Sequence, residues 1–325
     1  MKVGIYGDVH ITKNMRTLQS TWEDSVLYSF ADMYKKFDEN KVDFVVGLGD
    51  LLDTPEIKAK HLYLLRSVFA MMNCRNYPTY LLLGNHEIES DESNILEFLS
   101  EYENIKPITD FDIIMDDFLF IPYNVYPGGL DPEYIKDRYV FTHHDIYGSD
   151  LAGGKSKAFF GLDPDIFKDA KGVFNGHVHL KSKVSDNVLN AGSLVVSQHG
   201  ELRVGDYPSY YILDKETGKL DTYENKNSMI YLTVRPEEIE SVLLKYPNHS
   251  RLVLKIEYSG DLSKVDLNIL HTSYRKLIND SDISESSKIN HTSFDLKNYL
   301  TEYIQNDESV KDKDSYIKIG MELLD

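Results

Sequence analysis

Histidine, aspartate and asparagine recur in five short segments of the first 180 residues. The segments are Asp8-Val9-His10, Gly49-Asp50 with Asp53, Gly84-Asn85-His86-Glu87, His143-His144, and His177-Val178-His179. Residues two apart in an extended chain point to the same side, so the two histidines of the last segment can share a target. Imidazole, carboxylate and amide oxygen form a ligand set that divalent Mn, Fe or Zn accepts. Seven such ligands exceed one tetrahedral ion and suit two ions that share a carboxylate.

Each of the five segments follows a short apolar run that is typical of a buried strand. An amphipathic helix is predicted after each of the first three runs, over residues 21–37, 57–73 and 92–102, and a hairpin is predicted over 210–224. Alternating strands and helices indicate an α/β layered domain. The carboxyl ends of neighbouring strands form a ligand-binding crevice in such domains, so we expect the five segments to meet there.

A smaller module is predicted after residue 225. Strands are expected over 228–234 and 251–259, and helices over 236–246 and 263–278. A polar linker over 281–291 then leads to a helical segment over 292–325 with a narrow apolar stripe.

Composition limits the function. The chain has 325 residues and a net charge of -18, which argues against a free-standing protein that coats DNA. Cys74 is the only cysteine in the chain, and this sparse use of cysteine is typical of a reducing cytosol. The residues on either side of Cys74 predict that its thiol is buried. The sequence contains no apolar run of about 18 residues and no apolar leader before Asp8, so we expect a soluble cytoplasmic protein.

The segments "GDVH", "GDLLD", "GNHE", "HH" and "GHVH" resemble the five motifs of the calcineurin-like metallophosphoesterases. Their order and spacing are most similar to the SbcD-type nuclease subunits, and the short overall architecture is similar to bacteriophage recombination endonuclease subunits. The resemblance implies an α/β fold whose core is a layered β-sandwich with flanking helices, over residues 1–225. It further implies a small α+β cap for DNA recognition over 226–280.

The resemblance also implies roles for individual residues. A first ion would be held by Asp8, His10 and His179 together with Asp50, which bridges to a second ion held by Asn85, His143 and His177. Manganese is the expected metal, with magnesium as the alternative. His144 competes with His143 for the fourth motif, and His143 is preferred because it directly follows the strand "YVFT".

Two further residues of these motifs are expected to act in catalysis. His86 would face the scissile phosphate. Asp53 stands where related nucleases often carry a histidine near the substrate. Asp53 would therefore either serve catalysis directly or orient a ligand histidine.

By resemblance, the activity is 3′→5′ exonuclease on double-stranded DNA and endonuclease on single strands or hairpins, in recombination and repair. An SbcC-type ATPase would dock on residues 292–325, and the nuclease would be a homodimer. Four lysines near the last motifs are candidates for binding DNA phosphates, namely Lys155, Lys157, Lys181 and Lys183. The alternative is that these lysines lie on solvated loops without a binding role. Competing functions are a phosphatase or phosphodiesterase for nucleotides or phosphoproteins, and a scaffold without catalysis.

Overall fold

The computed structural model describes residues 1–11, 13, 18–90, 93–258 and 272–276. Residues Met1–Lys276 form one compact unit. The predicted linker over 281–291 and the predicted helical segment over 292–325 lie outside the described residues. Within the described ranges, no helix is long and apolar enough to cross a membrane.

The strands and helices follow one another in a mixed order. The strands are β1 (Lys2–Tyr6), β2 (Phe44–Gly47), β3 (Thr79–Leu82), β4 (Ile88–Ser90), β5 (Ser93–Asn94), β6 (Ile105–Ile108), β7 (Asp112–Ile114), β8 (Phe118–Ile121), β9 (Tyr139–Thr142), β10 (Asp150–Leu151), β11 (Ser156–Lys157), β12 (Gly172–Asn175), β13 (Ser182–Lys183), β14 (Val188–Asn190), β15 (Ser209–Asp214), β16 (Lys219–Glu224), β17 (Ile230–Val234), β18 (Leu252–Tyr258) and β19 (Thr272–Lys276). The α-helices are α1 (Gln19–Asn40), α2 (Leu62–Asn73), α3 (Pro132–Ile135) and α4 (Ile239–Lys245).

Two six-stranded sheets form the body of the protein. The first has the order β16-β15-β1-β2-β3-β6, and the second has the order β13-β14-β12-β9-β8-β7. The neighbours β1, β2, β3 and β6 run parallel, as do β14, β12, β9 and β8. The predicted hairpin is the antiparallel pair β15–β16. All five predicted apolar strands are present, as β1, β2, β3, β9 and β12.

Apolar side chains fill the space between the two sheets. Val3 and Ile5 of β1 belong to the same buried cluster as Phe118 of β8 and Phe141 of β9. Tyr6, which points to the other side of β1, belongs to the cluster that contains the large helices. Each fully buried side chain of this size contributes roughly 1.5–3 kcal/mol of transfer free energy. The protein is therefore a layered β-sandwich with helices outside it, and the predicted fold class is confirmed.

The first predicted helix is confirmed as α1. Its predicted apolar face is fully buried: Trp22, Val26, Phe30, Met33 and Phe37. The second helix, α2, buries Leu65, Val68 and Met72 in the same core cluster, while Leu62 and Tyr63 at its start are exposed. The third predicted helix is instead a 3₁₀ segment, Ile95–Glu101.

Cys74 is exposed, so the prediction of a buried thiol is wrong. It follows α2 directly, two positions after the buried Met72. Two positions on a helix correspond to a rotation of about 200°, which places Cys74 on the side opposite the buried face.

A third sheet, formed by the parallel strands β17, β18 and β19, packs on the helical side of the sandwich. Ile230 of β17 and Leu254 of β18 share one buried cluster with Val242 of α4 and with side chains of α1. The strand predicted over 251–259 is present as β18, in which the alternate residues Leu252, Leu254 and Ile256 are buried. The predicted helix over 263–278 is wrong at its end, where Thr272–Lys276 forms β19 beside β18. Threonine and tyrosine favour a strand, and pairing with β18 satisfies its backbone.

Candidate metal centre

The polar segments that follow β1, β2, β3, β9 and β12 meet at one edge of the sandwich. Three of these strands belong to the first sheet and two to the second, so the site spans both sheets. The backbone N–H of His177, after β12, donates to Asp8 Oδ1, after β1, at 3.1 Å. The backbone N–H of His86, after β3, donates to Asp50 Oδ1, after β2, at 3.0 Å. Backbone bonds thus fix the relative positions of the segments before any side chain is considered.

A first group of ligand atoms consists of Asp8, His10, Asp50 and His179, all buried or nearly so. The Nε2 atoms of His10 and His179 are 3.1 Å apart, and Asp8 Oδ2 lies 3.3 Å from His179 Nε2. Asp50 Oδ2 is 3.9 Å from His10 Nε2. Four ligand atoms from three segments therefore face one small volume.

A second group consists of Asp50, His143 and His177, with Asn85 beside them. Asp50 Oδ2 lies 3.3 Å from His143 Nε2. The amide oxygen of Asn85 lies 3.3 Å from His143 Nε2 and 2.9 Å from His177 Nδ1. Asp50 belongs to both groups, which is the position expected of a bridging carboxylate.

Each of the four histidines uses one ring nitrogen to contact a group outside the cluster. His179 Nδ1 hydrogen-bonds Glu201 Oε1 at 2.6 Å. His143 Nδ1 donates to the carbonyl of Leu48 at 2.6 Å.

The other two histidines follow the same rule. His177 Nε2 is 3.2 Å from Asp145 Oδ1, and His10 Nδ1 is 3.4 Å from Asp53 Oδ1. The opposite ring nitrogen faces the cluster in every case. Such outer partners set the tautomer and orientation of metal-binding histidines.

The backbone is strained where it carries the ligands. His10, Asp50 and His177 have φ angles of 56°, 48° and 65°, in the left-handed region that non-glycine residues seldom occupy. Gly84 permits the closest approach in the site, because a Cβ at this position would lie 2.1 Å from Asp50 Oδ1. Strain of this kind persists where the surrounding structure fixes a functional geometry.

The electrostatics of the cluster favour ionised carboxylates. Burial raises the pKa values of Asp8 and Asp50, but the neighbouring histidines outweigh it and lower both below the usual range. Burial works against a charge on His143 as well, yet Asp50 raises its pKa to about 9. Burial lowers the pKa of His10 to about 3. At neutral pH the carboxylates are therefore in the form that binds a cation.

The cluster fits divalent metal. Asp8 Oδ2 is buried and accepts no hydrogen bond from any described residue, although it lies 3.3 Å from His179 Nε2. An unpaired carboxylate oxygen inside a protein is costly unless a cation or donor meets it. The donor set of imidazole nitrogen with carboxylate and amide oxygen suits Mn, Fe or Zn.

Glu87 supports the loop that carries Asp50. Its carboxylate is buried and accepts hydrogen bonds from the backbone N–H groups of Asp50, Leu52 and Gly84 at 3.1, 2.9 and 2.8 Å. Burial and the nearby charge of Asp50 raise the pKa of Glu87 to about 8. Glu87 thus joins the segments after β2 and β3 without belonging to either ligand group.

His86 lies at the rim of the cluster and is 40% exposed. Its Nδ1–H donates to the backbone carbonyl of Asp53 at 2.8 Å, and its Nε2 is 4.0 Å from Asp50 Oδ2. The His86 ring is therefore held by its Nδ1 while much of the side chain stays exposed at the rim of the cluster. Asp53 contacts His86 through its backbone carbonyl, and its carboxylate lies 3.4 Å from His10 Nδ1 and 3.7 Å from Lys13 Nζ.

His143, and not His144, faces the cluster. His144 points away: its Nδ1 contacts Thr142 Oγ1 at 2.7 Å, and its ring stacks on Tyr123 with 5.9 Å between centroids. Burial, together with the nearby His143, lowers the pKa of His144 to about 4. The preference for His143 from its place after the strand agrees with this geometry.

The four predicted lysines lie in different surroundings. Lys157 pairs with Asp150, and Lys183 pairs with Asp186 at 2.9 Å. Lys181 donates to Ser209 Oγ at 3.3 Å, beside a narrow cleft next to His179. Lys155 lines an open cleft towards the third sheet.

Two adjoining clefts lead from the cluster to the third sheet. The first, of about 280 Å³, is lined by His177 and His179. The second, of about 330 Å³, is lined by Lys155 and by Lys255 of β18. Both clefts are lined by Ala152 and by the segment His199–Gly200, so they adjoin one another.

Sequence reasoning missed Asp145 and Glu201. Asp145 follows the two histidines of the fourth motif, and its place in "HHD" was the available signal. Glu201 lies 22 residues after His179 in the chain, and no spacing rule marks it. Its carboxylate also accepts from the backbone N–H of Ser197 at 2.7 Å, so it is fully engaged.

The fold and the ligand cluster agree with a comparison against known families. The model of the calcineurin-like phosphoesterases matches residues 1–230. The chain belongs to this family, and the resemblance of the five motifs is confirmed. Members of the class hydrolyse phosphoesters with bound divalent metal, so this protein is a metal-binding phosphoesterase.

Particular relatives are viral. The chain is 27% identical over 249 residues to protein 078R of Invertebrate iridescent virus 3, which carries the name of a phosphoesterase; the match covers 70% of this chain and 69% of the relative. It is 25% identical over 296 residues to exonuclease subunit 1 of Enterobacteria phage T4, covering 77% and 85%. The solved structure of Pseudomonas putida nuclease MPE matches with a TM-score of 0.34 and 14% identity, covering 68% and 87%. That structural score is too low to add to the family assignment.

Proposed function

We propose that the protein is a two-metal phosphodiesterase that cleaves DNA, with exonuclease action on duplex ends and endonuclease action on single strands or hairpins. The observation that carries the proposal is the position of Asp50 in both ligand groups. A shared carboxylate implies two ions close together, and paired ions suit displacement at a phosphodiester. The likeness to a phage exonuclease subunit supports DNA as the substrate.

The residues divide the work. The first ion would be held by Asp8, His10, Asp50 and His179, and the second by Asp50, Asn85, His143 and His177. When bound, the ions would lower the pKa of a water molecule and offset negative charge on the phosphate. The outer partners keep each imidazole turned towards its ion.

His86 would deliver the proton. The carbonyl of Asp53 holds a proton on His86 Nδ1, so Nε2 is the atom that exchanges a proton with the substrate. A protonated Nε2 would donate a hydrogen bond to the phosphate and then a proton to the leaving oxygen. General acid catalysis of this kind contributes about 10²–10⁴ in rate.

The two adjoining clefts offer a path for a nucleic-acid strand. The first is lined by His177 and His179, and the second by Lys155 and Lys255 together with Glu257. Lysines placed along such a path would bind successive phosphates. A phosphatase for nucleotides or phosphoproteins is the second candidate, because the metal chemistry alone does not distinguish the two activities.

Several further features belong to the proposal. Manganese would be the working ion, and recombination and repair the setting. An SbcC-type ATPase would dock on residues 292–325, the nuclease would form a homodimer, and both would act in the cytoplasm of the host cell. Docking on a DNA-binding ATPase would also offset the charge of -18.

Hydrolysis by the full chain with Mn²⁺ tests the proposal. Linear duplex DNA, a DNA hairpin and p-nitrophenyl phosphate are offered separately, and a double variant Asp8→Asn, His179→Gln serves as the inactive control. We expect the DNA substrates to be cut and the monoester to remain nearly intact. Brisk monoester hydrolysis without DNA cleavage would instead support the phosphatase.

A further inference from the structure

Tyr123 has a fixed place at the rim of the metal centre. It follows β8 in the second sheet, and its backbone N–H donates to the carbonyl of Leu83 at 3.0 Å, directly after β3 in the first sheet. Pro122 precedes it, and the carbonyl of Pro122 accepts from the backbone N–H of Val125 at 3.0 Å, which closes a tight turn. A proline in a hydrogen-bonded turn limits the motion of this segment.

The Tyr123 ring packs against ligand histidines. Its centroid is 5.8 Å from that of His177, with 33° between the planes, and 6.3 Å from that of His143. The His144 ring stacks on it, with 5.9 Å between centroids and 23° between the planes. Both ligand contacts belong to the group assigned to the second ion.

The ring remains open to solvent. Tyr123 is 38% exposed, and its hydroxyl makes no hydrogen bond to any residue in the described part of the chain. Two buried tyrosines use their hydroxyls differently: Tyr211 donates to the Ala191 carbonyl at 2.7 Å, and Tyr246 donates to the Asp206 carbonyl at 2.6 Å. A rigid aromatic ring with an open surface beside a ligand cluster is suited to contact with a bound molecule.

We propose that Tyr123 stacks on the nucleobase next to the scissile phosphate, on the side of the second ion, and so makes the enzyme prefer base-bearing strands. The inference rests on the proposed phosphodiesterase function. A phosphate held at His177 places its attached nucleoside beside the Tyr123 ring. Stacking of a base on an aromatic ring tolerates every base, so the preference would be for a base and not for a sequence.

Two single-stranded substrates separate this role from a structural one. One is a thymidine 12-mer, and the other is a 12-mer of the same backbone in which every sugar is the base-free tetrahydrofuran analogue. Initial cleavage rates at low substrate concentration with Mn²⁺ give kcat/KM for each. The variants are Tyr123→Ala, Tyr123→Leu and Tyr123→Phe, and Tyr63→Ala on the exposed start of α2 is the control.

We expect Tyr123→Ala and Tyr123→Leu to lower kcat/KM on the thymidine strand about tenfold, since loss of base stacking costs roughly 1–3 kcal/mol. The same variants should change the base-free strand less than twofold, and Tyr123→Phe and Tyr63→Ala should cut both strands as the wild type does. Equal losses on both strands would overturn the inference, because the ring would then act only through His177 and His143. No loss on either strand would overturn it as well. If the wild type cuts neither strand, the proposed function itself fails.

Discussion

The hydrogen bond between Glu201 and His179 offers a test that separates the two ions. The Glu201→Gln change keeps the size of the side chain and removes its charge. In the native protein, one carboxylate oxygen lies 2.6 Å from His179 Nδ1, and the other accepts from the backbone N–H of Ser197 at 2.7 Å. Glu201 is therefore an acceptor on both sides.

A glutamine cannot satisfy both contacts. If its oxygen faces His179, its NH₂ group opposes the N–H of Ser197. If the amide is reversed, the NH₂ group faces His179 Nδ1 and places the imidazole proton on Nε2, the atom that faces the first ion. Either outcome loses about one charge-assisted hydrogen bond, worth roughly 1.5–3 kcal/mol. Removal of such outer partners costs about 10–100-fold in metal affinity.

Titration of the metal-free protein with Mn²⁺ against a fluorescent chelator measures the two affinities. We expect Glu201→Gln to weaken the first ion about 10–100-fold and to leave the second within about twofold. Asp145→Asn, which alters the partner of His177, should weaken the second ion and leave the first nearly unchanged. The loss should be smaller than for Glu201→Gln because Asp145 is 44% exposed. Glu133→Gln, which removes one charge from an exposed helix, is the control. Equal weakening of both ions by Glu201→Gln, or no weakening, would refute the assignment of His179 to the first ion.

Three further predictions concern catalysis, the backbone and the metal. His86→Ala should lower DNA cleavage about 10²–10⁴-fold with unchanged Mn²⁺ affinity in the chelator titration; a loss of metal binding would contradict the role of His86. Gly84→Ala should abolish binding of both ions, because its Cβ would lie 2.1 Å from Asp50 Oδ1. The control Gly129→Ala should bind as the wild type does, because its Cβ meets only Tyr126 at 3.9 Å. Wild-type affinity in Gly84→Ala would show that the loop can shift. Free Mn²⁺ at 100 times its Kd should stabilise the fold by about 2.7 kcal/mol per ion, read as a higher Tm in calorimetry than with chelator; equal Tm values would argue against a built metal centre.

Much of the centre could be predicted because its ligands follow recognisable strands. An apolar run such as "GVFN" predicts a buried strand, and a parallel layout brings the ends of such strands together. His177 and His179 both face the ligand cluster, as their contacts with Asn85 and Asp8 show. The extended chain assumed in the spacing argument is absent there, because His177 has a left-handed φ of 65°.

Other parts of the centre depend on information that the sequence does not hold. Consecutive residues of an extended chain face opposite sides, so only one of His143 and His144 can face the cluster. Which one does so depends on the orientation of β9, and the residue types alone do not specify that orientation. Asp145 and Glu201 act from irregular loops, where no period links a residue to its partner. The end of the predicted helix over 263–278 was wrong because the competing pairing with β18 is a long-range interaction.

The distance along the chain between Asp8 and His179 has a consequence for synthesis of the protein. Their side chains are 3.3 Å apart, yet 170 residues separate them, and β15, which pairs with β1, comes later still. A ribosome that has released only the opening strands of the first sheet has supplied Asp8, His10 and Asp50 but not His179. The first ligand group is then incomplete. The first ligand group therefore becomes complete only after β12 has been synthesised and has joined the earlier strands.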